Sequence, residues 1–99
     1  MSQFSLHRLH DGDELVCRIQ TDLGTETAFL LCAPIVRRED WGVPIPMLHI
    51  TVEINGEQYL ILMSQMVALP TAMLGPVIGT AADARDEIVR AVDLLVIGF

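Results

Sequence analysis

The strongest constraint on the fold is the dipeptide Asn55-Gly56, which lies between two apolar segments, MLHITVEI and EQYLILMSQM. Both residue types tolerate the positive φ angles that a type I′ hairpin turn requires at its two central positions. Before the turn, apolar and polar residues alternate, with Leu48, Ile50, Val52 and Ile54 on one face and His49, Thr51 and Glu53 on the other. This pattern predicts an antiparallel hairpin with one face against a core.

Further strands are predicted upstream of this hairpin. The segments FSLHRLH and ELVCRIQ flank HDGDE, whose Asp-Gly pair indicates a second tight turn. The run AFLLCAPIV is apolar almost throughout, which favours a strand covered on both faces. The segment REDWGVPIP then reads as irregular, because Pro44 and Pro46 cannot donate hydrogen bonds to a central ladder.

The last third of the chain predicts a connection followed by a helix. The segment VALPTAMLGPVIG contains two prolines and two glycines, so residues 67–79 are predicted to connect rather than to pair. A helix is predicted over about 81–97, with Thr80 or Asp83 as its cap. Its apolar stripe is formed by Ala84, Ile88, Ala91, Val92 and Leu95.

These elements predict a single domain over residues 1–99, with its strands within 3–66. About five mostly antiparallel strands and one C-terminal helix are expected to close as a small, partly open β-barrel. The chain is 52% hydrophobic and 19% charged, which indicates a globular protein. No apolar run approaches the roughly 20 residues that span a bilayer, and the start lacks a secretion signal. A soluble, cytoplasmic protein without membrane contact is therefore expected.

The charge balance argues against a nucleic-acid partner. Six arginines, no lysine and thirteen acidic residues give a net charge of -7. The pair Arg37-Arg38 is followed at once by Glu39 and Asp40, so it does not form a basic patch. Proteins that bind DNA or RNA gain most of their affinity from clustered cations. We expect no direct nucleic-acid binding and favour a protein partner with a basic face.

Few residues suggest catalysis or metal binding. His7 and His10 fall on opposite faces of a strand, so they do not point to a shared metal ion. The nearby acids Asp11, Asp13 and Glu14 belong to a turn. A solvated hairpin tip is therefore predicted. His49 is predicted to be a polar strand residue. Cys17 and Cys32 lie in apolar strands without a base beside them and are predicted to be small buried hydrophobes. We therefore predict no catalytic, metal-binding or cofactor-binding residues. Trp41 is predicted to be either a lid over the barrel or an exposed anchor at an interface.

The chain ends in AVDLLVIGF, an unusually apolar terminus. Val92 and Leu95 are expected to hold the helix on the barrel, while Gly98 lets the backbone leave the helix. A free carboxylate on Phe99 would resist burial, because an unpaired charge in an apolar interior is costly. The prediction is that Ile97, Gly98 and Phe99 protrude; the alternative is that this tail packs across a dimer interface.

The order of features along the chain resembles the CcdB toxin family. The likeness rests on the Asn55 hairpin, the methionine-rich YLILMSQM, Leu69-Pro70, Leu74-Gly75 and a helix that ends in a hydrophobic residue followed by glycine. Looser matches are Gln3-Phe4, the strand 16–20 with Thr21-Asp22-Leu23 after it, and the strand that contains Pro34. The resemblance implies an SH3-like barrel with a C-terminal helix, a homodimer and a CcdA-like antitoxin. It also implies a non-catalytic action on DNA gyrase, whose A subunit is trapped in its DNA-cleaved state.

The resemblance further implies a gyrase-binding site. The family's last three residues, tryptophan, glycine and isoleucine, correspond to Ile97, Gly98 and Phe99, of which only Gly98 is identical. Isoleucine fills a pocket but cannot stack as an aromatic ring does. One alternative is therefore a degenerate member that dimerises and binds antitoxin without poisoning gyrase. Another is a MazF-like endoribonuclease, because that class shares the barrel.

Overall fold

The computed structural model describes residues 2–98. Seven β-strands are followed by one α-helix, and short 3-10 turns join several of them. The elements are β1 Ser5–Leu9, β2 Leu15–Arg18, β3 Phe29–Arg37, β4 His49–Ile54, β5 Glu57–Leu62, β6 Val67–Pro70, β7 Leu74–Thr80 and α1 Arg85–Val96. Among the described residues, no helix has both the length and the apolar character needed to cross a bilayer.

All strand pairings in the sheet are antiparallel, in the order β4-β5-β3-β2-β1-β7. β6 pairs with the first half of β3, beside the stretch that pairs with β5. The predicted class, mainly β with a C-terminal helix, is confirmed. The pairings do not close the sheet into a barrel, since β4 and β7 form its two ends.

The prediction that residues 67–79 only connect was wrong, and with it the limit of the strands to 3–66. This segment forms β6 and β7, which pair with β3 and β1. Both new strands lie at edges of the sheet. A proline is tolerated there because its nitrogen, which cannot donate a hydrogen bond, can lie on the side that has no partner strand. The prolines Pro70 and Pro76 therefore indicated edge strands rather than a loop.

The two predicted tight turns are confirmed. Asn55 and Gly56 have φ angles of 52° and 84°, and Ile54 pairs with Glu57 directly across the turn. β1 and β2 pair across the HDGDE segment, in which Asp11 has a φ of 63°. Both hairpins thus use the left-handed conformation for which Asn, Asp and Gly are suited.

The sheet buries apolar side chains on both faces. One cluster lies between the sheet and α1 and includes Cys17, Ala33 and Ile88. A second, smaller cluster is formed by Leu9, Val16, Leu30, Cys32 and Leu74. Neighbouring residues of β2 and β3 enter different clusters because successive side chains point to opposite faces. This confirms that the apolar run of β3 is covered on both sides.

The helix is shorter than the predicted range of about 81–97. A 3-10 turn occupies Ala82–Ala84, and α1 begins at Arg85 and ends at Val96. Thr80 Oγ1 accepts a hydrogen bond of 3.1 Å from the Ala82 N–H at the start of the 3-10 turn, so it does not cap α1, whose N-cap position is Ala84. Asp83, the other predicted cap, lies within that turn.

We predict that Gly75→Ala destabilises the fold. A Cβ atom at Gly75 would overlap the backbone carbonyl of Arg8, because β7 lies very close to β1 there. Relief requires backbone movement, so we expect a loss of about 1–3 kcal/mol in the free energy of unfolding. Urea denaturation measures it. Gly79→Ala in the same strand is the control, since its Cβ would meet only Leu6 Cδ1 at 3.5 Å. Equal losses for both variants would contradict the prediction.

Candidate functional site

The end of α1 is shaped by Gly98. The N–H groups of Ile97 and Gly98 both donate to the carbonyl oxygen of Asp93 at 2.9 Å. Gly98 has a φ of 92°, the left-handed conformation in which helices commonly end. The backbone therefore leaves the helix at the point that the sequence predicts.

The last turn of α1 carries exposed aliphatic side chains. Val96 is 70% exposed and Ile97, directly after it, is 63% exposed, whereas Ile88 and Ala91, earlier in the same helix, are completely buried. Leu95, predicted to face the barrel, is 40% exposed; at this level the more buried side chain is Leu94. The prediction for Leu95 was therefore wrong.

We call Ile97, Gly98 and Phe99 the C-terminal tip. Ile97 and Gly98 are exposed, and Phe99 lies outside the described residues. The described part offers apolar contact and backbone hydrogen bonds but no side chain for acid–base or nucleophilic chemistry. It presents an exposed aliphatic side chain, Ile97, at the end of a helix that is packed on the core through Ile88 and Ala91.

The histidines of the first hairpin do not form a site. His7 is 1% exposed, with Nε2 at 2.7 Å from Ser5 Oγ and Nδ1 at 2.9 Å from the Gly75 carbonyl oxygen. His7 is thus a buried, hydrogen-bonded residue, which corrects the prediction of a solvated position, while His10 is exposed. Within residues 2–98 there is no group of three or more His, Cys, Asp or Glu side chains able to hold a metal ion.

His49 is buried as well, at 8% exposure, and not simply a polar residue on the outer face of β4. Its Nδ1 accepts a 3.0 Å hydrogen bond from the Ile45 N–H, so the neutral ring carries its proton on Nε2. The half-buried Trp41 packs against this ring edge to face, with centroids 5.0 Å apart. Trp41 therefore holds the loop that leads into β4 and is not an exposed anchor.

Both cysteines are buried thiols, as predicted. Burial, followed by the proximity of Cys32, raises the pKa of Cys17 to about 12. Burial raises the pKa of Cys32, an effect that the positive charge of Arg18 opposes. A thiol reacts as its thiolate, so burial disfavours the reactive form of both cysteines.

We predict that neither cysteine reacts with a thiol reagent while the protein is folded. At about pH 8, unfolded thiols are partly ionised, whereas burial raises the pKa of both folded thiols and also keeps the reagent away from them. Ellman's reagent should therefore label both cysteines in urea and neither in buffer. Rapid labelling of Cys17 or Cys32 in the folded protein would show that the strand pairing around β2 and β3 is wrong.

Arg18 is a buried cation, and the sequence pattern did not predict its burial. It lies in β2 and is only 7% exposed. The available signal was a single cation inside the otherwise apolar LVCRI segment. By contrast, the exposed Arg37 pairs with Glu57 at 2.9 Å and Glu39 at 3.4 Å, so half of the Arg37-Arg38 pair is already neutralised.

Comparison with known proteins gives one result that covers the chain. None of the curated proteins compared with it matches. A family model described as "CcdB protein" matches residues 3–98, which is nearly the entire sequence. The chain therefore belongs to the CcdB family, whose members are toxins of toxin–antitoxin systems.

Proposed function

We propose that this toxin inhibits DNA gyrase by binding its A subunit through the C-terminal tip, without catalysing a reaction itself. The observation that carries the proposal is the contrast within α1. Ile88 and Ala91 are fully buried, while Ile97 is 63% exposed on a backbone that Gly98 turns out of the helix. An apolar side chain on a fixed support is suited to a pocket on another protein, because little conformational entropy is lost on binding.

The state of the two thiols and of the His7 ring supports binding as the mode of action. The thiols of Cys17 and Cys32 are buried, and the His7 ring is engaged by Ser5 and Gly75. An endoribonuclease requires acid–base groups at an RNA groove together with cations that hold the phosphates. A net charge of -7 disfavours that reaction.

We further propose that the toxin forms a homodimer and is neutralised by a CcdA-like antitoxin. The net charge favours an antitoxin segment that is basic and folds on binding. The presence of isoleucine at position 97, in place of the family's tryptophan, favours one competing function. A protein that dimerises and binds antitoxin but no longer poisons gyrase would carry such a change.

A supercoiling assay with purified gyrase tests the proposal. We expect inhibition at micromolar protein and accumulation of cleaved DNA, since the toxin is proposed to trap the cleaved complex. Folding is checked beforehand by circular dichroism, and the antitoxin from an adjacent reading frame should restore gyrase activity. A folded protein that leaves supercoiling and cleavage unchanged would refute gyrase poisoning, and tight antitoxin binding in that case would support the degenerate toxin.

A further inference from the structure

The side chain of Arg18 is a buried cation without an anionic partner among residues 2–98. It is 7% exposed, and both ion pairs in the described part of the chain belong to Arg37. Its Nε donates to the Gln20 carbonyl oxygen at 3.0 Å and its Nη2 to the Thr21 carbonyl oxygen at 3.3 Å. Two neutral acceptors leave N–H groups of the guanidinium without a protein partner, and these are not sealed inside the fold, since His49 Nε2 is the one enclosed, unpartnered side-chain nitrogen or oxygen within residues 2–98.

Arg18 lines a cleft of about 480 Å³, bounded on its outer side by the loop between β2 and β3. Hydrogen bonds hold its walls in place. Thr71 Oγ1 donates to the Thr27 carbonyl oxygen at 2.6 Å, and Gln20 Nε2 donates to Thr27 Oγ1 at 3.3 Å. Gln20 Oε1 in turn accepts from the Leu31 N–H at 3.1 Å. The cleft is thus a formed site and the route by which an acceptor reaches Arg18.

The charges around the cleft restrict the ligand. Asp22 and Glu26 line it and are exposed, and neither lies within 4.0 Å of the Arg18 guanidinium. Asp22 Oδ1 is already engaged by the Gly24 N–H at 2.9 Å. A free anion in this cleft would lie among two carboxylates and one guanidinium, on a protein of net charge -7. An anionic group that carries cations beside it would be attracted by both parts of the site.

We propose that this cleft binds an acidic side chain of a peptide segment that is otherwise basic. The carboxylate would accept from the N–H groups of Arg18 that have no protein partner, and such charge-assisted hydrogen bonds are stronger than those between neutral groups. The flanking basic side chains would lie against Asp22 and Glu26. This site goes beyond the proposed function, because it uses the loop after β2 and not the C-terminal tip.

The test is a titration of the full-length protein, followed by ¹H–¹⁵N NMR, with the peptide acetyl-Arg-Glu-Arg-amide. Acetyl-Arg-Gln-Arg-amide is the matched probe, because it keeps both cations and lacks only the carboxylate. We expect it to bind about tenfold more weakly, the difference that charge-assisted hydrogen bonds produce. The Nε–H of Arg18 and the amides of residues 20–27 should shift with the glutamate peptide. Sodium acetate and inorganic phosphate should bind more weakly than that peptide.

Two variants separate ligand binding from a structural role. Arg18→Gln should remove the preference for the glutamate peptide. Asp22→Asn keeps the acceptor for Gly24 and should weaken both peptides while leaving their ratio unchanged. If Arg18→Gln does not fold, the comparison of the two peptides on the unaltered protein decides the matter. Equal affinity for both peptides, or phosphate binding as tight as the glutamate peptide, would overturn the proposal. Neither gyrase nor antitoxin enters the measurement, so its failure is distinct from a failure of the proposed function.

Discussion

Ile97→Ser is expected to reduce inhibition of gyrase by about 30-fold or more, because removing an apolar anchor from a binding site commonly costs about 2 kcal/mol or more. The side chain is 63% exposed, so the fold does not depend on it. The free energy of unfolding should change by no more than about 0.5 kcal/mol. The half-maximal inhibitory concentration in a supercoiling assay, together with urea denaturation, measures both effects.

The matched control is Val43→Ser. Val43 is also aliphatic and is 88% exposed, but it lies in the loop before β4 and not in the C-terminal tip. We expect this variant to inhibit gyrase as the unaltered protein does. Unchanged inhibition by Ile97→Ser would show that the tip does not contact gyrase. Equal losses for the two variants would indicate a general effect of surface hydrophobicity.

Ile88→Ala is expected to have the largest effect on stability. Ile88 is completely buried between α1 and the sheet, in the cluster that includes Cys17 and Ala33. Removing a buried isoleucine side chain to alanine costs about 2–5 kcal/mol, a large share of the roughly 5–15 kcal/mol that stabilises a domain. The unfolding midpoint in urea should fall while its slope stays constant. Protein concentration must be held fixed, because dimerisation would add to apparent stability.

Val89→Ala tests whether burial is the cause. Val89 is adjacent to Ile88 in the same helix and is 36% exposed. The variant therefore removes aliphatic carbon atoms, as Ile88→Ala does, but from a side chain that is in contact with water. Alanine also has the higher helix propensity, which offsets part of any loss. We expect a change within about 0.5 kcal/mol. Similar losses at the two positions would mean that α1 does not pack on the sheet through Ile88.

The turns and the helix terminus were determined locally, and for this reason the sequence was sufficient to predict them. Asn55-Gly56 adopts the left-handed conformation that these residue types favour, and β4 and β5 pair across it. Gly98 also adopts a positive φ angle, and the helix ends there for that reason. Both predictions depend on φ preferences of single residues, which act without any distant partner.

Pairing and burial were decided by partners far away in the chain. Val67–Pro70 and Leu74–Thr80 became strands because β3 and β1 offered edges for them, although prolines and glycines favoured a loop. Arg18 is buried beside the loop after β2 and Thr71, which line the same cleft. The residue pattern of β2 does not predict that burial. The sequence by itself determined where the chain turns and where its helix stops. Only the tertiary structure decided which side chains lose their water, because that depends on segments that meet in space and not in sequence.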